Sequence, residues 1–138
     1  MIFQSDDSLA TFGDYSPIAI GAPGEIVAVA GQVGTDRTGA FPVSDAAEDQ
    51  VRQAFHNVGL ALAAAGIGFG DVLTFTTYVV GRDVIPAFMS ARKEVFAEIY
   101  PDGQYPPNTL LIVQGLVEER FVVEISALAV RPAGERSS

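Results

Sequence analysis

Apolar positions along the chain change their spacing several times, and each change marks an element. Residues 18–22 and 26–32 are short runs rich in Ile, Val and Ala, separated by Pro23-Gly24. They read as a strand pair with that dipeptide as the turn. Residues 34–42 are polar and glycine-rich, a loop or short hairpin. The spacing then becomes helical. Asp45 and Glu48 stand at capping-box distance, with Asp in place of Ser or Thr. Ala47, Val51, Ala54, Phe55, Val58, Leu62 and Ala65 follow on one face at 3.6-residue spacing. Gly66 suits the position just past the helix, where the backbone turns to positive φ. Residues 72–80 are rich in Thr and β-branched side chains and predict a central strand. Asp83 can cap a second helix that tolerates Pro86 in its first turn and buries Ile85, Phe88, Val95, Phe96 and Ile99. Pro101-Asp102-Gly103 ends it. Residues 109–114 and 121–130 are the last strands, and 131–138 read as a frayed tail. The order β-β-α-β-α-β-β predicts an α+β domain with two helices packed on one face of a mixed sheet.

Composition fits a single domain over 1–138, with a core of about 12–130. Hydrophobic residues make up 49% and charged residues 18%, apolar for so small a chain, which points to an oligomer interface. The net charge of −9, with one Lys and no basic run, disfavours nucleic acid and anionic membranes as partners. No apolar run approaches the length of a membrane span, and residues 1–7 lack the pattern of a signal peptide. The absence of cysteine removes disulfides and thiolate chemistry, and is compatible with a reducing, cytoplasmic location. The single histidine, His56, falls on the polar face of the first helix with no second ligand for a metal, so no metal site is expected.

Glu124 stands out because it interrupts an apolar strand. Alternation puts Val122, Glu124, Ser126 and Leu128 on one face and Val123, Ile125, Ala127 and Ala129 on the other, and both faces read as largely buried. A carboxylate there is either a general acid or base, or a structural group accepting backbone hydrogen bonds or pairing with an arginine. Asn108, after Pro106-Pro107, reads from the residues alone equally as a turn residue. Tyr15 suits sheet packing, Gly31 a β-bulge, and Thr109 a strand position. Thr76-Thr77 belong to a strand, and Arg92-Lys93 to a solvated helix edge.

Several stretches together carry more than each alone. They are Tyr15-Ser16; Ala30-Gly31-Gln32; Gln50 and Asn57 in a helix ending Leu62-Ala63-Ala64-Ala65-Gly66; Gly70-Asp71-Val72-Leu73-Thr74-Phe75-Thr76-Thr77-Tyr78-Val79; Tyr105-Pro106-Pro107-Asn108; and Val123-Glu124-Ile125-Ser126-Ala127-Leu128-Ala129-Val130. In this order they resemble the Rid/YjgF family of reactive intermediate deaminases, over about residues 12–130. The resemblance implies a chorismate-mutase-like fold, a homotrimer with clefts between subunits, and cofactor-free hydrolysis of a small enamine or imine. It makes Glu124 the residue that positions and protonates around the attacking water. It makes Asn108, Thr109, Tyr15 and the backbone at Gly31 the substrate contacts. The chain departs from the family pattern where Pro107-Asn108 replaces Pro-Ala-Arg, where Ser126 replaces a second acid, and in a longer turn at 117–120. A neutral amide cannot supply the charged fork with which arginine grips a carboxylate, so altered specificity is expected, with weaker use of small carboxylated enamines. The alternatives are a deaminase or hydrolase of another substrate, such as an amino-dienoate or cyclic imine, and a non-catalytic small-molecule-binding or regulatory trimer. The sequence leaves open whether another residue, such as Arg92 across an interface, restores the missing cation. A ribonuclease reading fits neither the charge nor the single histidine.

Overall fold

A computed structural model describes residues 1–134. Strands β1 (Ile2–Gln4), β2 (Ile18–Ile20) and β3 (Gly24–Gln32) are followed by helix α1 (Ala47–Ala64) and a 3-10 turn at Phe69–Asp71. Strand β4 (Val72–Val80), helix α2 (Val84–Ile99) and strands β5 (Asn108–Val113) and β6 (Val123–Pro132) complete the chain. The main sheet has the order β3-β6-β4-β5; β4 and β5 run parallel across the α2 crossover, and the other pairs are antiparallel. This is the α+β arrangement of two helices on a mixed sheet that the sequence predicts.

The helices cover one face of the sheet because the two periodicities match. Val51, Ala54, Phe55, Val58 and Leu62 of α1 meet Phe75 and Val79 of β4 and Val123, Ile125, Ala127 and Ala129 of β6, all in the core. Phe55 makes edge-on contacts with Phe75 at 5.6 Å and Phe96 at 5.5 Å, geometry favoured by aromatic quadrupoles. Each fully buried aromatic side chain contributes on the order of 1.5–3 kcal/mol.

The opposite face of the sheet is open. Ala28 pairs with Leu128, Ser126 with Thr76, and Glu124 with Tyr78, and these residues share that face. Leu128 is 42% exposed and Ile26 78%. The expectation that both faces of the last strand are buried therefore holds in full for one face only, since two helices cover one side of the sheet, while on the other Val130 alone is buried and Glu124, Ser126 and Leu128 are not.

Four local expectations also change. Residues 18–20 do not pair with β3; they pair antiparallel with β1, so Pro23-Gly24 carries the chain from a small sheet into the main one. Asp45 does not cap α1: the N-cap residue is Ala46, and the Ser44 hydroxyl instead accepts from the Ala46 N–H and donates to Asp49. Asp83 occupies the N-cap of α2 but makes no capping hydrogen bond. Arg131 belongs to β6, bonded to Glu25 and the Ala65 carbonyl, so the expected tail begins later; residues 135–138 lie outside the described part. Gly66 does take φ of +77° past α1. Among the described residues no helix is long and apolar enough to cross a membrane.

Candidate functional site

Glu124 enters the open face through the alternation of β6, with Tyr78 of β4 directly opposite. On its other flank β3 slips register between Val29 and Gln32, and Gly31 lies in that irregularity. A Cβ on residue 31 would stand 2.6 Å from Glu124 Cδ, so the bare backbone is what leaves room for the carboxylate. The two readings of Gly31, a bulge and a close approach, are thus one feature; what the backbone approaches within this chain is the glutamate itself. The Glu124 carboxylate is half-buried, accepts no hydrogen bond and forms no ion pair among the described residues. The structural alternative, an acid tied down by backbone N–H groups or an arginine, is not what this chain builds.

Asn108 lies on the other side of the sheet. It is the first residue of β5, not a turn residue, and registers with buried Phe75. Its Oδ1 accepts from Thr77 Oγ1 at 2.8 Å, while its Nδ2 donates to no group among the described residues. Asn108 lines a cavity of about 250 Å³ between β5 and α2, walled also by Phe12, Tyr15, Ile85, Met89, Arg92 and Leu110. Tyr15 is held there by its own loop, since its hydroxyl accepts from the Phe12 N–H at 3.0 Å. Tyr15 and Asn108 are therefore brought together, as are Glu124 and Gly31, but in one chain the two groups occupy opposite faces of the sheet. Thr109 is exposed on the Glu124 side, in register with Thr76 one pair along from Tyr78.

Arg92 is the main correction. It is not on a solvated helix edge: it is 1% exposed and lines the Asn108 cavity. Burial pushes its guanidinium down from its usual range, while the charge of Asp14 and the Tyr15 and Tyr105 phenols act the other way. A signal for it was present, because positions 88, 92 and 96 are one turn apart and two of them are phenylalanine. That Tyr78 stands opposite Glu124 was not legible, because strand register cannot be read without the partner strand.

Other candidates serve the scaffold. Gln50 is buried; it donates to the Asp45 and Arg120 carbonyls and accepts from the Val122 N–H. Asn57 donates to the Val33 and Thr35 carbonyls, holding the loop after β3. His56 is exposed in a groove of about 410 Å³ between α1 and α2 that contains none of the other candidates. Among the described residues no cluster of His, Cys, Asp and Glu could hold a metal ion.

Residues 5–131 match the family described as endoribonuclease L-PSP. The chain is 31% identical over 131 residues to the RutC family protein PH0854 of Pyrococcus horikoshii, covering 94% of this chain and 97% of that one. It is 29% identical over 109 residues to the 2-iminobutanoate/2-iminopropanoate deaminase of Salmonella typhimurium, with 78% and 81% covered. The crystal structure of Escherichia coli TdcF with bound serine is similar at a TM-score of 0.69 and 28% identity, over 87% of this chain and 96% of that one.

Proposed function

The chain belongs to the endoribonuclease L-PSP family, that of the Rid/YjgF proteins, and on that footing we propose that it hydrolyses a small imine or enamine and releases ammonia. The observation that carries the reading is the Glu124 carboxylate, reachable on the open face and without a structural partner. Water adds to the carbon of the C=N bond as Glu124 takes a proton from it. The carboxyl group returns that proton to nitrogen, which gives a carbinolamine; it then carries the hydroxyl proton to the same nitrogen as the C=O bond forms and the C–N bond breaks, and the carbonyl product and ammonia leave. An enamine first takes a proton on carbon to become the imine. The balance is one imine and one water to one carbonyl and one ammonia, with no cofactor consumed. Water adds readily to imines, so positioning and one proton carrier account for the chemistry.

In this reading the substrate lies between copies of the chain in a homotrimer, one copy offering Glu124 and Gly31 and a neighbour the Tyr15–Asn108 cavity. The open, apolar sheet face supports the assembly, because a face with Ile26 78% exposed needs covering. Asn108 in place of the expected arginine gives this chain a specificity different from that of arginine-bearing relatives, with a neutral amide donor where they have a charged fork.

The test is a coupled assay that generates 2-iminopropanoate in situ and follows keto-acid or ammonia release. The chain should accelerate release above the spontaneous rate. Glu124→Gln, which keeps the shape and removes the exchangeable proton, should lower kcat on the order of 10²-fold or more while the oligomer still forms. Equal turnover by Glu124→Gln, across the imines the protein accepts, would show that Glu124 has no part in the reaction.

A further inference from the structure

Arg92 lies mid-helix with its guanidinium over two rings, 4.8 Å from the centre of Phe88 and 5.8 Å from that of Phe96. Ring faces satisfy the plane of a guanidinium but not its edge, where all five N–H donors point. Here Nη2 donates to Met89 Sδ at 3.0 Å, a weak acceptor, and Nε has no partner. Nε and Nη2 are adjacent donors on one edge, the arrangement that grips a carboxylate through two parallel bonds. Among the described residues no acid forms an ion pair with Arg92; Asp14 acts on it through its field alone. A buried charge without an anion is costly, and a methionine would fill the same space without that cost. The chain keeps the arginine in the wall of a cavity shared with Tyr15 and Asn108.

We propose that Arg92 is the anion-binding residue of this cavity, its guanidinium receiving the carboxylate of a small 2-imino or 2-keto acid in place of the charge absent at position 108. The proposal rests on the reading above that this cavity is the substrate site. Asn108 Nδ2, free because Thr77 occupies Oδ1, then donates to a second acceptor on the ligand. The cavity of about 250 Å³ is well above the roughly 10–15 Å³ that a single water needs, which leaves room for an acid of a few carbons. The charge reaches the ligand from α2 instead of β5, within the same chain and not across an interface. Specificity is then altered in where the carboxylate sits, and carboxylated substrates are retained.

The experiment measures binding separately from chemistry, using pyruvate as the anionic probe and pyruvamide as its neutral counterpart, by calorimetry on the full chain. The wild-type chain should prefer pyruvate. Arg92→Met should weaken pyruvate on the order of 10- to 100-fold and leave pyruvamide unchanged, whereas Glu124→Gln should keep pyruvate affinity. Gly13→Ala is the second variant, because its Cβ would stand 2.5 Å from Arg92 Nη2 and displace the guanidinium without removing the charge; it should also weaken pyruvate selectively. A wild-type chain blind to pyruvate, or a folded Arg92→Met that binds it unchanged, overturns the assignment and leaves Arg92 as a core residue held by its rings. If Arg92→Met does not fold, unchanged pyruvate affinity in Gly13→Ala overturns it. Imine hydrolysis with an unchanged KM in Arg92→Met removes the anion site and leaves the deaminase. Arg92-dependent pyruvate binding in a chain that hydrolyses no imine supports the anion site and removes the deaminase.

Discussion

Gly31 and Glu124 are a coupled pair, because the room for one is the missing side chain of the other. Gly31→Ala would press a methyl group 2.6 Å from Glu124 Cδ, which forces the carboxylate aside. We expect the variant to fold and assemble, with kcat on imines reduced on the order of 10-fold or more, the scale of a misplaced catalytic group; steady-state kinetics beside thermal melts would separate this from unfolding. At this scale part of the candidate site was legible. Glu124 announced itself as a charge among apolar neighbours, and Asn108 as a departure from a family pattern. Arg92 was not legible as a buried cavity residue because Arg92-Lys93 has the composition of a solvated edge, and the helical period that places position 92 beside Phe88 and Phe96 was outweighed by its charge. That Asn108 and Glu124 face opposite ways could not be read either, since it depends on a parallel register between β4 and β5 that no local pattern encodes.

Elements, in contrast, are held by side chains that local pattern does reveal as odd. Gln50 is polar on an otherwise apolar helix face, and the structure gives the reason: its amide joins the start of α1 to the backbone that leads into β6. Gln50→Ala should cost about 1–3 kcal/mol, because the Arg120 carbonyl and the Val122 N–H lose their partner. A urea titration should show a lower midpoint with an unchanged slope; an unchanged midpoint would mean that water replaces the amide without loss. The long periodic elements were legible throughout, as α1, β4 and α2 show. The pairing of β2 was not. Pro23-Gly24 has the composition of a hairpin turn, but the partner of Ile18–Ile20 is the preceding three-residue strand Ile2–Gln4, too short to signal itself and joined by a loop over residues 5–17 too long for turn chemistry to report. The start of α1 slipped for a related reason: Asp45 and Ser44 are adjacent, both suit a cap, and the hydroxyl of Ser44 makes the local bonds.

The whole molecule has one face that a lone chain leaves unfinished, and the proposed chemistry depends on how it is finished. Glu124 opens toward that face and the Arg92–Asn108 cavity toward the other, so a single copy presents a proton carrier and an anion site that cannot meet on one small substrate. A second copy solves this if its cavity, which lies at the β5 edge of its sheet, comes against the open face of the first. On the homotrimer reading, light scattering should give a trimer mass at micromolar concentration. Leu128→Glu tests the dependence, because Leu128 is 42% exposed in the single chain, lies two strand positions beyond Ser126 on the Glu124 face, and does not line the cavity. A charge there is harmless to a solvated monomer but is desolvated in an apolar interface, a cost of several kcal/mol per copy. The expected result is a folded monomer with its two-helix signature intact, with Arg92-dependent pyruvate affinity retained and imine hydrolysis lost. A variant that stays trimeric at full activity would show that this face is not the interface. A variant that becomes monomeric yet hydrolyses imines would show that one chain suffices, and the cleft between copies would have to be given up while the chemistry assigned to Glu124 stood.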